Sequence, residues 1–212
     1  MQKIAILLLI ICFAACNDKT KIPDEFDYGK IEHGVYSNKF FNFEIQLPAG
    51  WTVQSKQMVD ELQDRGTDAI AAKNKKLASQ LKASEVNVAN LLMVSKNPYA
   101  DHPTEFNYSF AISAENLAAH PQLKTAEKYL DQAKNLMQQS GAYHSFSEYS
   151  KEMIGNREFT RMENIVNARG VDVRLSYYVL VEKGFSLLMM ITYDTEENKG
   201  KLKEAINRIK FM

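Results

Sequence analysis

The residue types that carry out acid–base and metal chemistry are scattered through this sequence. Four histidines occur, and no two of them have the four-residue spacing of a helical metal site: His33, His102, His120 and His144. The densest polar group is Asp101-His102 with Glu105, on a predicted loop that contains Pro98 and Pro103. These side chains could bind a metal or act as acid and base. Exposed loops collect such residues by chance, so we predict no catalytic residue, no cofactor and no metal site.

Familiar catalytic motifs are also missing. The sequence contains no glycine-rich phosphate loop, no dinucleotide fingerprint, no Gly-x-Ser-x-Gly and no His-Glu-x-x-His. The alternative that stays open is a small metal-dependent or hydrolase-like enzyme of the cell envelope, which would use the loop residues near Asp101 and His102.

The N-terminus has the pattern of an export signal. Met1-Gln2-Lys3 is positively charged, and the apolar run over 4–15 is too short to span a bilayer. The run ends in Phe13-Ala14-Ala15-Cys16, which resembles the lipobox of bacterial lipoproteins, with Phe13 in place of the usual leucine. The resemblance implies that residues 1–15 are a signal peptide and that Cys16 carries a diacylglyceryl group with fatty acyl chains such as palmitate. The alternatives are an ordinary secretory signal that is cut near Ala15 and an uncleaved anchor.

Cysteine content agrees with the lipoprotein interpretation. The chain has two cysteines, and Cys12 lies inside the predicted signal peptide. Cys16 would then be the only cysteine of the mature chain, so no internal disulfide is possible despite export to an oxidising compartment.

Composition indicates one globular domain after a short linker. Of the 212 residues 45% are hydrophobic and 25% are charged, as in ordinary globular proteins. The formal net charge is +0, so no overall field attracts nucleic acid. Residues 16–34 are polar, and we predict that they are the lipidated cysteine and a flexible tether. We predict a single α+β domain over 35–212.

A β-hairpin over residues 171–193 is the strongest structural signal. Apolar residues alternate with others from Val171 to Val181 and again from Phe185 to Tyr193, which predicts two strands. Matching the apolar faces pairs Val181 with Phe185 and leaves Glu182–Gly184 as a three-residue loop. Apolar residues such as Tyr178 and Met190 also lie on the second face, so we expect helices to cover both faces of the sheet.

The other elements follow from the same periodicities. We predict that Val166 faces Val171, which places Glu163 opposite Arg174 as a cross-strand ion pair. Helices are predicted over 56–82 (one helix or two), 123–139 and 195–208, and further strands over 41–47, 86–94, 106–112 and 158–166. Trp51, after a Pro-Ala-Gly turn, is interpreted as a core side chain.

Both ends of the predicted domain resemble PsbP-like domains. The first match runs from Tyr36-Ser37-Asn38 through Phe43 to Leu47 and Pro48-Ala49-Gly50-Trp51. The second is Lys183-Gly184-Phe185, Thr192-Tyr193 and Ile209-Lys210-Phe211. The segment 56–82 is not part of that pattern. The resemblance implies an antiparallel sheet with helices on both faces, a PsbP-like α/β/α sandwich. It also implies a binding or accessory role and transfers no catalytic residue.

Together these expectations describe a lipoprotein of the cell envelope. We predict attachment to a membrane through the lipid at Cys16, with the domain facing the periplasm or the cell exterior. The expected activity is non-enzymatic binding of a protein partner or a small ligand, with no nucleic acid involved.

Overall fold

The computed structural model describes residues 21–71, 74–99, 106–168 and 171–212. Its α-helices are α1 (Lys56–Ala71), α2 (Lys75–Ser84), α3 (Ala126–Gln138) and α4 (Glu196–Ile206). Its strands are β1 (Lys30–Glu32), β2 (Val35–Asn38), β3 (Phe43–Gln46), β4 (Thr52–Val53), β5 (Val88–Ser95), β6 (Ser109–Asn116), β7 (His144–Phe146), β8 (Ser150–Ile154), β9 (Arg157–Ala168), β10 (Val171–Glu182), β11 (Phe185–Tyr193) and β12 (Ile209–Phe211).

The strands form a large and a small sheet, and each strand pair in the described part is antiparallel. The large sheet has the order β4-β5-β6-β11-β10-β9-β7, and β8 pairs with the remaining length of β9. The small sheet has the order β1-β2-β3-β12. Because β12 pairs with β3, the two segments that resemble PsbP-like domains lie side by side, with Phe211 opposite Phe43 and Ile209 opposite Ile45.

The large sheet is covered on both faces. Helices α1, α2 and α3 pack on one face, where Leu62, Leu81 and Leu130 contact a core that includes Tyr177 of β10. The small sheet and α4 cover the other face, where Phe43 and Leu202 share a core with Tyr178. The predicted fold class, α+β with an antiparallel sheet and helices on both faces, is confirmed. The small sheet as part of the second cover was not predicted.

The loop of the central hairpin is one residue shorter than predicted. Glu182 pairs with Phe185 and Val181 with Ser186, so Lys183 and Gly184 form a two-residue loop. Both have positive φ, 54° and 79°, as the turn that matches the twist of a hairpin requires. The prediction failed because all nine residues of β11 are buried, so the apolar pattern does not distinguish its faces.

The register between β9 and β10 also differs from the prediction, by two residues. Val166 pairs with Val173 and Glu163 with Ser176, because both strands continue towards the turn and shorten the connection between them. The shift by an even number keeps each side chain on its predicted face. Glu163 therefore does not face Arg174; it forms ion pairs with Arg161 and Lys199.

Much of the predicted tether is folded. Lys30–Glu32 is strand β1, and Phe26 is buried in the core beneath the small sheet. The backbone N–H of Ile22 donates to the carbonyl of Val86 at 3.2 Å. The flexible tether predicted for 16–34 thus does not extend over 22–34, while residues 1–20, with the predicted signal peptide and Cys16, lie outside the described residues.

The segment over 56–82 forms two helices. Gly66 lies inside α1, and the break comes at Asn74, whose side chain accepts a hydrogen bond from the N–H of Leu77 at 3.0 Å and caps α2. Within the described residues no helix has both the length and the hydropathy needed to cross a membrane.

Candidate functional site: a groove beside the edge of the large sheet

A groove of about 960 Å³ lies between the α1–α2 pair, the N-terminal segment and strand β5. Helix α1 provides Val59 and Gln63, and the N-terminal segment provides Tyr28 and Ile31. The volume falls in the range of pockets that bind small molecules. We call this cavity the groove.

The groove is open along strand β5 because only the C-terminal end of β5 pairs with a strand on its outer edge. In the described residues, β4 pairs with Val94 and Ser95 only, and the pairing of β5 with β6 is irregular between Asn90 and Leu92. Such a bulge adds a residue to one strand and increases the local twist. The first half of β5 therefore leaves the sheet edge open between the two covering layers.

The floor of the groove is mostly apolar and is formed by three neighbouring strands of the large sheet. Met93, Ala111, Leu188 and Met190 belong to or pack against the core under the helices, and Leu91, Leu92 and Ile112 belong to the core under the small sheet. Asn90 and Ser113 of the same strands are its polar residues. Ala111 is partly exposed although β6 is an inner strand. The helices on that face thus leave part of the sheet uncovered.

The rim of the groove is apolar as well. Seven large apolar side chains are exposed in the described residues, and four of them line the groove: Tyr28 (48%), Ile31 (43%), Val53 (39%) and Val86 (50%). An apolar patch that continues from an exposed rim into a cavity is typical of a binding site.

Charges at the groove are balanced. Its lining contains three lysines and three carboxylates: Lys30, Lys56, Lys82, Asp60, Asp64 and Glu85. Lys56 pairs with Asp60 at 2.7 Å and Lys82 with Asp64 at 3.6 Å, and these side chains are 47–83% exposed. Each pair contributes less than ~1 kcal/mol because water screens it. The charged side chains that line the groove therefore sum to no formal net charge.

A second polar group lies after the C-terminal end of α3 and has the arrangement of a catalytic triad: a hydroxyl, a histidine and an amide that orients the histidine. His144 Nε2 lies 3.2 Å from Ser140 Oγ, and His144 Nδ1 lies 3.1 Å from Asn164 Nδ2 and 3.3 Å from its Oδ1. Ser140 is only 4% exposed, and its hydroxyl oxygen accepts from the N–H of Ala142 at 3.3 Å. A buried hydroxyl cannot reach a substrate, so this group stabilises the end of the helix. Burial lowers the pKa of His144 and outweighs the hydrogen bond with Asn164.

A charged network attaches α4 to the large sheet. Glu163 Oε1 accepts from Lys199 Nζ at 2.7 Å and from the hydroxyl of Tyr193 at 3.1 Å, and it pairs with Arg161. Burial raises the pKa of Glu163, but the hydrogen bond from Lys199 and the charge of Arg161 together hold it below its usual value. Because the cations and the carboxylate of this network are paired with each other, we infer that the network stabilises the packing of α4 on the sheet.

The residues singled out from the sequence do not form a common site in the described part. Asp101, His102 and Glu105 lie outside the described residues, as does Cys16. His33 is in the turn between β1 and β2. No group of three or more His, Cys, Asp or Glu side chains in the described residues could hold a metal ion, and the absence of a metal stays a prediction. Trp51 was expected in the core; it is partly buried and packs against the core, with its ring 5.3 Å from that of Tyr108.

Sequence reasoning missed the groove. Its floor residues belong to strands that were expected from the sequence, although β6 begins three residues later than the predicted 106–112 and continues to Asn116, and β5 begins two residues later than the predicted 86–94. The open edge depends on the bulge in β5 and on the packing of α1 and α2. The signal that could have indicated it is the presence of Tyr28 and Ile31, together with Ile22 and Phe26, in a segment whose other residues are mostly polar.

No protein-family model matches this sequence, and no curated protein matches it. The solution structure of cyanobacterial PsbP (CyanoP) from Synechocystis sp. PCC 6803 is similar, with a TM-score of 0.49 and 10% identity, covering 87% of this chain and 96% of that one. LpqN of Mycobacterium tuberculosis, described as involved in cell envelope biogenesis, has a TM-score of 0.39 and 12% identity, covering 79% of this chain and 82% of that one.

A protein of unknown function from Pseudomonas aeruginosa has a TM-score of 0.39 and 16% identity, covering 49% of this chain and 72% of that one. The PsbP family, which the sequence motifs resemble, is thus represented among the similar structures. At these identities and TM-scores, none of the three assigns an activity or a functional residue to this chain.

Proposed function

We propose that this protein is a lipid-anchored, non-enzymatic binding module of the cell envelope, and that the groove binds a ligand with an elongated apolar body. The observation that carries the proposal is the continuity of exposed rim and apolar floor. Val86 and Ile31 are 50% and 43% exposed, whereas Met93 and Met190, which also line the groove, are 2% and 3% exposed. A ligand that removes such a rim from water gains about 25 cal/mol per Å² of apolar surface.

The anchor part of the proposal is supported by the Phe13-Ala14-Ala15-Cys16 sequence after a short apolar run. Each buried methylene of a lipid adds ~0.8 kcal/mol of membrane affinity, and two acyl chains give stable attachment. The protein then faces the periplasm or the cell exterior, and a ligand or partner reaches it there.

Ligand binding is tested with a fluorescent fatty acid as the probe. A form in which a cleavable secretory signal replaces residues 1–16 retains every described residue and avoids a membrane in the assay. We expect saturable one-to-one binding, and Val86→Asp should weaken it at least about tenfold because a charge then lies on the apolar rim. Met153→Asp is the matched control, since Met153 is 57% exposed and lies outside the groove. Absence of saturable binding, or an equal loss in both variants, contradicts the proposal.

The anchor is tested on the full-length protein. Mass spectrometry of the mature N-terminus should find a lipid-modified Cys16, and the protein should partition into detergent. Cys16→Ala should abolish both the modification and the cleavage before it. An unmodified Cys16 thiol in the exported protein contradicts the anchor.

A further inference from the structure

The chain enters the described fold at the wall of the groove. The carbonyl of Lys21 accepts from Asn116 Nδ2 at 2.9 Å, and the N–H of Ile22 donates to the carbonyl of Val86 at 3.2 Å. Val86 is on the rim of the groove. The first described residues are therefore fixed directly beside the opening.

The distance from this point to the proposed anchor is short. Lys21 is five residues after Cys16, and five residues span at most about 18 Å even when fully extended. If Cys16 carries the lipid, as proposed above, the rim at Val86 is held close to the membrane surface. Tyr28 and Ile31, which belong to the same N-terminal segment, lie on that rim too.

The rim has the character of a surface that contacts a bilayer. Tyr28, Ile31 and Val86 are each more than 40% exposed. Tyrosine and aliphatic side chains of this kind lie favourably at a membrane interface. The three lysines at the groove are balanced by three carboxylates, so attraction to anionic lipid headgroups is not what brings the rim to the surface.

We propose that the ligand of the groove is an acyl chain of a membrane lipid, which enters directly from the bilayer to which the short N-terminal segment holds the rim. This inference rests on the proposed anchor at Cys16 and on ligand binding in the groove. It adds the class of the ligand and the route by which the ligand arrives. The apolar floor takes the acyl chain, and the headgroup stays at the membrane interface beside the balanced charges of the groove lining.

The experiment uses the full-length lipidated protein in phosphatidylcholine vesicles that contain a trace of phosphatidylcholine with a diazirine in one acyl chain. After illumination, mass spectrometry locates the labelled residues. We expect label on the floor, at Met93 or Met190, as well as on the rim at Val86. Ala111→Trp, which fills the floor, should reduce the floor label at least about fivefold, while Met153→Trp should leave it unchanged. Replacing part of the lipid by phosphatidylglycerol should change the label by less than about twofold.

Several results would overturn the inference. Label on the rim alone means that the rim touches the bilayer but no acyl chain enters the groove. If neither the floor nor the rim is labelled in protein that is shown to be lipidated and vesicle-bound, the groove does not face the bilayer.

The probe titration of the soluble form separates these failures from a failure of the proposed function. If that form binds the fluorescent fatty acid and the floor is not labelled in vesicles, the groove takes its apolar ligand from another source. If it does not bind the probe, the groove is not a binding site. As a control, the urea unfolding midpoints of the Ala111→Trp and Met153→Trp variants are measured to establish that both variants fold.

Discussion

Phe26 provides a direct test of whether the N-terminal segment belongs to the folded domain. Its ring is 6% exposed and contacts four other rings, those of Tyr28, Phe40, Phe41 and Phe185, at centroid distances of 4.7–6.3 Å. Burying a phenylalanine side chain contributes about 1.5–3 kcal/mol, and each ring pair adds ~0.5–1.5 kcal/mol. Truncation in a core costs roughly 3–5 kcal/mol. Because this segment is near a chain end and can partly collapse, we expect about 3 kcal/mol for Phe26→Ala.

Urea unfolding of the soluble form measures this loss. With a slope of about 2 kcal/mol per molar urea for a domain of this size, the midpoint should fall by about 1.5 M. Ile31→Ala is the matched control in the same segment, since Ile31 is 43% exposed and its truncation should stay within about 0.5 kcal/mol. A loss below about 0.5 kcal/mol for Phe26→Ala would mean that residues 22–34 behave as a tether and do not form a fixed wall of the groove.

Three further predictions concern the backbone, the core and pH. Gly155 has a φ of +58°, and a Cβ at this position would lie 3.0 Å from a backbone oxygen of β12. Gly184 also has a positive φ, +79°, but nothing lies within 4 Å of a Cβ there. In urea unfolding, Gly155→Ala should therefore lower the free energy of unfolding by about 1–2 kcal/mol more than Gly184→Ala. Leu175→Ala and Ile191→Ala should each cost roughly 2–5 kcal/mol, since these side chains are 2% and 0% exposed on opposite faces of the large sheet; a small loss at either one would mean that its face is not covered. Burial lowers the pKa of His144 in the folded protein. Its stabilising contribution is therefore present above the unfolded pKa of ~6.5 and is lost as pH falls below that value. Between about pH 7.5 and 5 the free energy of unfolding should decline less steeply for His144→Gln than for the wild-type protein, and equal slopes would contradict this prediction.

The elements that could be predicted from the sequence are those with a local periodic pattern. Alternation over β10 and β11 located the central hairpin, and apolar residues on both faces correctly indicated two covering layers. Helix α3 was expected over 123–139 and begins after its capping residue Thr125, whose hydroxyl accepts from the N–H of Lys128 at 3.3 Å. These features follow from short-range spacing, which a sequence displays directly.

The features that could not be predicted depend on contacts between distant segments. The loop at Lys183 and Gly184 is decided by strand twist, because burial of the whole of β11 removes the difference between its faces. The segment over 22–34 is polar in composition, and only its contact with Phe40, Phe185 and Val86 makes it part of the fold.

The groove depends on the same kind of distant contact. Its parts are a strand with an irregular edge, a helical pair absent from the PsbP-like pattern, and an N-terminal segment that looks like a linker. Each part by itself has an ordinary structural explanation: Leu92 is a core residue, Val59 lies on a helix stripe and Ile31 is on an edge strand. Their meeting leaves an apolar floor beneath an apolar rim at the point where the chain arrives from Cys16. The proposed binding at this position depends on geometry that no single stretch of the sequence contains, and the vesicle experiment therefore tests the floor and the rim separately.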